Sequence, residues 1–262
     1  MAASGAPVSE PHSDDLVLMP LRGIPNVKAG DDLAAIILAA LRSSDRSLQP
    51  GDVLVLAQKI ASKAEGRTVD LRSVTPSARA AVLAKATEMD ARIVELMLAE
   101  SIDILRHRPG ALIVAHRLGM VLANAGIDRP NAGAEDVLLL PLDPDRSCAD
   151  IRRKLKDATG IDAGVIMVAG IGRAWRNGTV GTAIGVSGLP ALLDRRGRTD
   201  PYDRVLESTQ VALADELAAA ASLVMGRAGE DCPVVLARGV AYERRDGSAA
   251  ELVRAREKDL LR

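Results

Sequence analysis

From Gly170 to Gly188 the chain is dense in glycine, and its apolar residues fall at no spacing that a helix could use. Such a stretch folds as strands joined by tight turns. Before it, Val165 to Val168 is a short apolar run of the kind that forms a buried strand. After it, Thr209 to Met225 is alanine-rich and long enough for a helix, with Ser208 or Thr209 as cap and Gly226 as stop. A hairpin beside a long helix argues for an α+β fold rather than a regular doubly wound sheet.

The rest of the chain fits that class. Leu33 to Leu41 reads as a helix behind Asp31 or Asp32, and Gly51-Asp52 as a turn feeding the buried strand Val53 to Ala57, so β, α and β alternate early. Ser77 to Arg106 repeats apolar residues at helical intervals, among them Val82, Ile93, Leu96, Met97 and Ile104. It reads as one or two helices with charge on the outer face, a cover rather than a site. Val137 to Leu142 reads as a short strand ending at Pro141, Ser147 to Thr159 as a helix stopped by Gly160, and Val234 to Ala237 as one more strand.

With 262 residues, 48% of them apolar, the chain can bury a core without disulfides. Its 34 basic and 35 acidic residues nearly cancel, so no global field draws in nucleic acid or anionic lipid, and any bound anion must be held locally. Cys148 and Cys232 are far apart, and with only His12, His107 and His116 beside them a zinc site is not expected. The pattern is that of a reduced, cytoplasmic protein. No apolar run reaches the length of a membrane span, and Met1 to Asp15 lacks a basic-then-apolar leader and reads as a disordered tail. There is no phenylalanine, and Trp175, Tyr202 and Tyr242 are the only aromatic residues. The core is therefore aliphatic, with few rings for stacking a base or a flavin-like ligand.

The strongest local pointer to a site is Ala123-Asn124-Ala125-Gly126-Ile127-Asp128-Arg129-Pro130-Asn131. Here the apolar runs Leu112 to Ala115 and Met120 to Ala123 break into small residues and then a carboxylate. Small residues let backbone approach a ligand, and an aspartate just past a strand end can hold a metal-bound phosphate; a turn in which Asp128 caps its own backbone would look similar. Gly170-Ile171-Gly172 is not a dinucleotide fingerprint, because Trp175 occupies the position where a third small residue is needed and no helix follows. Gln58 to Arg67 places two lysines near a strand end without the glycine cradle of a P-loop. Gly172 to Gly178 gathers Arg173, Trp175 and Arg176 as an anion clamp or an exposed turn.

Taken in order, eight blocks are more specific than any one of them. They are Gly23-Ile24-Pro25, Gly30-Asp31-Asp32-Leu33, Gly51-Asp52-Val53-Leu54-Val55, Ser62-Lys63-Ala64-Glu65-Gly66-Arg67, Ala123 to Asn131, Leu140-Pro141-Leu142-Asp143-Pro144-Asp145, Gly172-Arg173-Ala174-Trp175-Arg176 and Ala214 to Ala220. From Leu18 onward the chain resembles the coenzyme F420-0:γ-glutamyl ligase (CofE) family. The resemblance implies a two-lobed α+β fold over residues 16–262, with largely antiparallel sheets and covering helices, assembled as a homodimer. It further implies a GTP-dependent ligase that joins L-glutamate to the deazaflavin precursor coenzyme F420-0 through an acyl phosphate, with magnesium or manganese and potassium.

By the same resemblance Gly23, Ile24, Pro25, Asn26, Gln58, Lys59, Lys63, Asn131 and the loop Met225, Gly226, Arg227, Ala228, Gly229, Glu230, Asp231 and Cys232 contact the nucleotide, and Asp128 holds the first metal. Three positions depart from the family pattern. Ala169-Gly170 replaces an Asp-Thr pair of metal ligands, and Arg227 stands where relatives can offer another acidic or amide ligand. Two readings follow. In one, the ligase works and Arg227 supplies as a fixed cation part of the charge a second metal would bring, beside Asp128. In the other, the chain is a catalytically weak or inactive relative that binds nucleotide or deazaflavin without ligating.

Overall fold

The computed structural model describes residues 15–129, 135–226 and 232–259. In chain order the elements are β1 (Val17–Pro20), α1 (Leu33–Ser43), β2 (Val53–Ala57), α2 (Gln58–Ala64), β3 (Thr68–Asp70), α3 (Ala78–Thr87), α4 (Ala91–Ala99), β4 (Ser101–Arg108), β5 (Ala111–His116) and β6 (Val121–Ala123). They continue as β7 (Asp136–Leu138), α5 (Pro144–Thr159), β8 (Gly164–Gly172), β9 (Thr179–Ser187), β10 (Leu193–Asp194), β11 (Gln210–Val211), α6 (Leu213–Met225) and β12 (Val234–Arg238). Five strands form the main sheet in the order β1-β12-β2-β8-β9, and the smaller sheets pair β4-β5-β6, β3-β7 and β10-β11. Every ladder is antiparallel except β2 with β8. Mixed helices and largely antiparallel sheets make this an α+β chain.

The unbroken apolar run of β2 follows from its place in the sheet. Successive side chains point to opposite faces, and both faces are covered. Leu54 and Leu56 pack with Ile37 of α1, Ile60 of α2 and Leu155 of α5, whereas Val53 and Val55 pack with Leu217 and Ala221 of α6. A further core lies apart from these: Leu71, Ile93, Met97, Leu112, Val114, Val137 and Leu139 join α4, β5 and β7. No helix among the described residues is long and apolar enough to cross a membrane.

The glycine-dense stretch owes two of its members to helix packing. A Cβ on Gly181 would lie 2.4 Å from the Ala218 carbonyl oxygen of α6, and one on Gly185 would lie 2.5 Å from that of Pro144 in α5. Both helices press on β9 through bare backbone. Gly181→Ala should therefore cost about 1–3 kcal/mol of stability, the scale of overpacking a tight core. Urea unfolding checks this, and an unchanged midpoint would show that α6 can yield without cost. The same helices also satisfy outward amides of β9, which is the edge of the sheet. Asp215 Oδ1 accepts from Ala183 N–H at 2.8 Å, and Asp145 Oδ1 from Val186 N–H at 2.7 Å.

Most sequence expectations hold. Asp32 caps α1 by accepting from the amides of Ala34 and Ala35, β2 spans the expected residues, and Gly160 closes α5 at φ 75°. Four boundaries shift. Helix α3 ends at Thr87 and α4 at Ala99, and Ser101–Arg108 is a strand, because it pairs with β5. Helix α6 begins at Leu213, not Thr209, because Gln210–Val211 pairs with Leu193–Asp194; its cap position is Ala212, with no side-chain bond. Helix α5 starts at Pro144 behind the cap Asp143, and β7 stops at Leu138. The described chain begins at Asp15, so the expected tail lies outside the described residues apart from that one.

Candidate functional site

The main sheet gathers four chain segments at one edge. Strands β1, β2 and β8 run in the same direction, and β12 runs against them, so the carboxyl ends of the first three meet the amino end of the fourth. Leu21 N–H donates to the Val234 carbonyl at 2.8 Å, and Ala57 N–H to the Pro233 carbonyl at 2.8 Å. Gly23, Ile24, Pro25 and Asn26 leave β1 here, Gln58 and Lys59 follow β2, and Cys232 leads into β12. Carboxyl ends of strands are where α/β sheets present loops and helix starts to ligands.

Helix α2 begins directly at this edge, and its side chains supply the charge. Lys63 Nζ donates to Asn26 Oδ1 at 3.1 Å, tying the β1 loop to the helix. Gln58 is buried and accepts at Oε1 from Ser62 Oγ at 2.7 Å. Lys59 Nζ lies 2.6 Å from Asp128 Oδ2, with 42% of the lysine side chain and 18% of the aspartate side chain exposed. Asp128 is brought there by its main chain, which exchanges both hydrogen bonds with Leu138. Among the described residues its side chain pairs with Lys59 and caps no backbone amide.

The turn before Asp128 is strained. Asn124, Ala125 and Gly126 have φ of 52°, 51° and 67°, a left-handed run that costs L-residues about 1–2 kcal/mol each. It is held by Leu112 N–H donating to Asn124 Oδ1 at 2.9 Å and by burial of Ala125. On the far side of the edge, Cys232 N–H donates to the Met225 carbonyl at 3.3 Å, which brings together the two ends of the expected nucleotide loop, and Gly226 takes φ 70° and ψ 146°, a conformation open to glycine. Asn131 and Arg227, Ala228, Gly229, Glu230 and Asp231 lie outside the described residues.

Metal chemistry at this edge is narrow. Val168 stands beside Ala57 in the parallel ladder, so Ala169 and Gly170 reach the rim next to Gln58. The Ala169 methyl is packed in the core with Leu54 and Leu56, and Gly170 has no side chain. Neither offers an oxygen beyond its backbone. Among the described residues no three His, Cys, Asp or Glu side chains gather as a metal set. Asp128 can anchor one hard cation together with phosphate oxygens and water, but the described side chains do not fit a second.

The expected clamp Gly172 to Gly178 forms the exposed tip of the β8–β9 hairpin. Trp175 is 94% exposed, and Arg173 donates to the Asn177 carbonyl at 3.3 Å.

A buried ionic hub lies behind the site and was not singled out by sequence reasoning. Glu100, 7% exposed at the end of α4, accepts from Arg67 at 2.7 Å and from Arg117 at 3.0 Å. Arg67 also donates to the Leu140 carbonyl, and Arg117 to those of Pro141 and Leu142. Burial raises the Glu100 carboxyl, but His116 and the two guanidinium groups outweigh it and hold it at about 2. His116 is fully buried; its Nδ1 accepts from Leu118 N–H, and its Nε2 faces Glu100 Oε2 at 3.7 Å, beyond hydrogen-bond reach.

A family described as F420-0:Gamma-glutamyl ligase matches residues 23–239. Three curated relatives, each named Coenzyme F420:L-glutamate ligase, align over nearly their whole length. That of Methanothermobacter thermautotrophicus is 45% identical over 94% of this chain and 98% of its own. That of Methanopyrus kandleri is 45% identical over 90% and 93%, and that of Archaeoglobus fulgidus 42% identical over 94% and 96%.

Proposed function

Because the chain belongs to the F420-0:γ-glutamyl ligase family, we propose that it joins L-glutamate to coenzyme F420-0 by an amide bond at the expense of GTP. The γ-phosphoryl group passes to the acceptor carboxylate and GDP leaves. The neutral amine of glutamate then attacks the acyl carbon, the carbon–oxygen bond to phosphate breaks, orthophosphate departs and the amine gives up a proton to solvent. Such chemistry is mostly positioning and charge neutralisation.

One observation carries this reading: two lysines, each held by a partner from another segment, stand at the edge where β1, β2, β8 and β12 meet. Lys59 and Lys63 set fixed positive charge against the triphosphate oxygens, and Asn26 orients Lys63. The loop from Gly23 to Asn26 and the loop from Met225 to Cys232 flank the nucleotide. Asp128 would hold a single magnesium or manganese ion, which would supply charge neutralisation for the phosphates. No step is assigned to a second ion. Arg227 supplies cationic charge from the nucleotide loop. Potassium, a homodimer, two lobes and a cytoplasmic location are carried over from the family, with no residue assigned to potassium.

The ligase reading is preferred over a non-catalytic one because relatives named as ligases align over at least 90% of this chain and of their own length. Incubating the purified protein with GTP, magnesium or manganese, L-glutamate and coenzyme F420-0 should yield products heavier by whole glutamate residues in mass spectrometry. GTP binding without any such product would overturn the proposal.

A further inference from the structure

Strands β8 and β9 continue past the phosphate-facing edge, and a cavity of about 760 Å³ opens beside them. Its apolar walls are aliphatic: Leu118 and Met120 come from the β5–β6 turn, Ile171 and Val180 from the β8–β9 hairpin, and Val253 from the C-terminal segment. That volume is of the size that encloses a small organic ligand. Charged residues also line the space, the carboxylates Asp143, Asp145, Asp215, Glu216 and Asp259 beside Arg117, Arg173 and Arg254, and of these the half-buried Asp215 sits against β9. Its Oδ1 accepts from Ala183 N–H, and no second hydrogen bond to it is found among the described residues. Burial pushes this carboxyl up, only partly offset by that amide.

Register places the cavity near the site. Ala57, Val168 and Ala183 stand side by side on β2, β8 and β9, so Asp215 lies roughly two strand spacings, about 10 Å, from the strand end that carries Gln58 and Lys59. Between them the rim is bare, since Ala169 is packed inward and Gly170 has no side chain.

Resting on the ligase reading, we propose that this cavity is the acceptor site. It takes an apolar ring system with one hydrogen-bonding edge toward Asp215, while the ligand's anionic tail crosses Ala169-Gly170 to bring its carboxylate to the phosphate end beside Lys59 and Lys63. Aliphatic walls grip the ring by its faces in place of aromatic stacking. The nucleotide and the acceptor thus enter from different sides of the β8 end.

Val121 of β6, 41% exposed, lines the cavity, as does Val180 of β9. Val121→Trp and Val180→Trp fill it from two walls at positions exposed enough for the fold to accommodate. Each variant should raise KM for coenzyme F420-0 by about tenfold or more and leave KM for GTP within about twofold. Unchanged acceptor KM in both variants would overturn the site while leaving the ligase reading intact. Equilibrium dialysis with coenzyme F420-0 decides the site even where no product forms. Binding weakened about tenfold by both variants supports it and discards only catalysis; equal binding in parent and variants, or none to the parent, overturns it.

Discussion

Asp128→Ala should lower kcat/KM for glutamate addition by about a hundredfold or more, the scale expected when several kcal/mol of charge stabilisation around a transferring phosphoryl group is lost. The carboxylate has two duties in the proposed site: it positions the Lys59 ammonium, and it is the side chain proposed to hold a divalent ion. Alanine removes both. The fold should hardly notice, because Asp128 is tied to Leu138 through main-chain atoms that the substitution leaves in place. Steady-state assay of product by mass spectrometry, beside a urea melt, separates the two effects. Turnover at the parent level would show that the lysines and the nucleotide loop manage without it.

Glu100→Gln should cost about 3–5 kcal/mol of stability, the usual penalty for removing one member of a buried ion cluster. Arg67 and Arg117 would keep their carbonyl partners but lose the charge they surround. A pH signature accompanies the loss. The Glu100 carboxyl sits at about 2 in the folded chain against 4.5 ordinarily, so its contribution is complete above about pH 4.5 and is lost as pH falls toward 2. The stability gap between parent and variant should therefore narrow across that range. A constant gap from pH 6 to pH 2.5 would show that the hub holds through shape and hydrogen bonds instead of charge.

Much of the main sheet is legible in the sequence because local and global signals agree there. Val53 to Ala57 is apolar at every position, and both of its faces are in fact covered. Gly160 ends a helix where a left-handed residue is needed. The misreadings occur where pairing at a distance decides. Ile102, Ile104 and Leu105 suit a helix as well as a strand, and only the ladder to β5 settles the matter. Gln210 and Val211 have the composition to start α6 but are claimed by Leu193 and Asp194. The residues expected to contact the nucleotide are indicated by resemblance to the family, not by a local pattern. What the residues alone could not show is that four strand ends share one edge. Glu100 is paired with partners 33 and 17 residues away, a spacing that corresponds to no motif. Asp215 lies inside the Ala214 to Ala220 block, yet nothing local marks it as half-buried beside a cavity.

The two aspartates that accept from Ala183 and Val186 have a consequence for self-association. A strand from another molecule needs free amides to lengthen the sheet, and at these two positions on β9 the amides are already engaged by α5 and α6. Growth of this sheet by backbone pairing is closed at that border, so a second molecule meeting it there must be recognised by side chains.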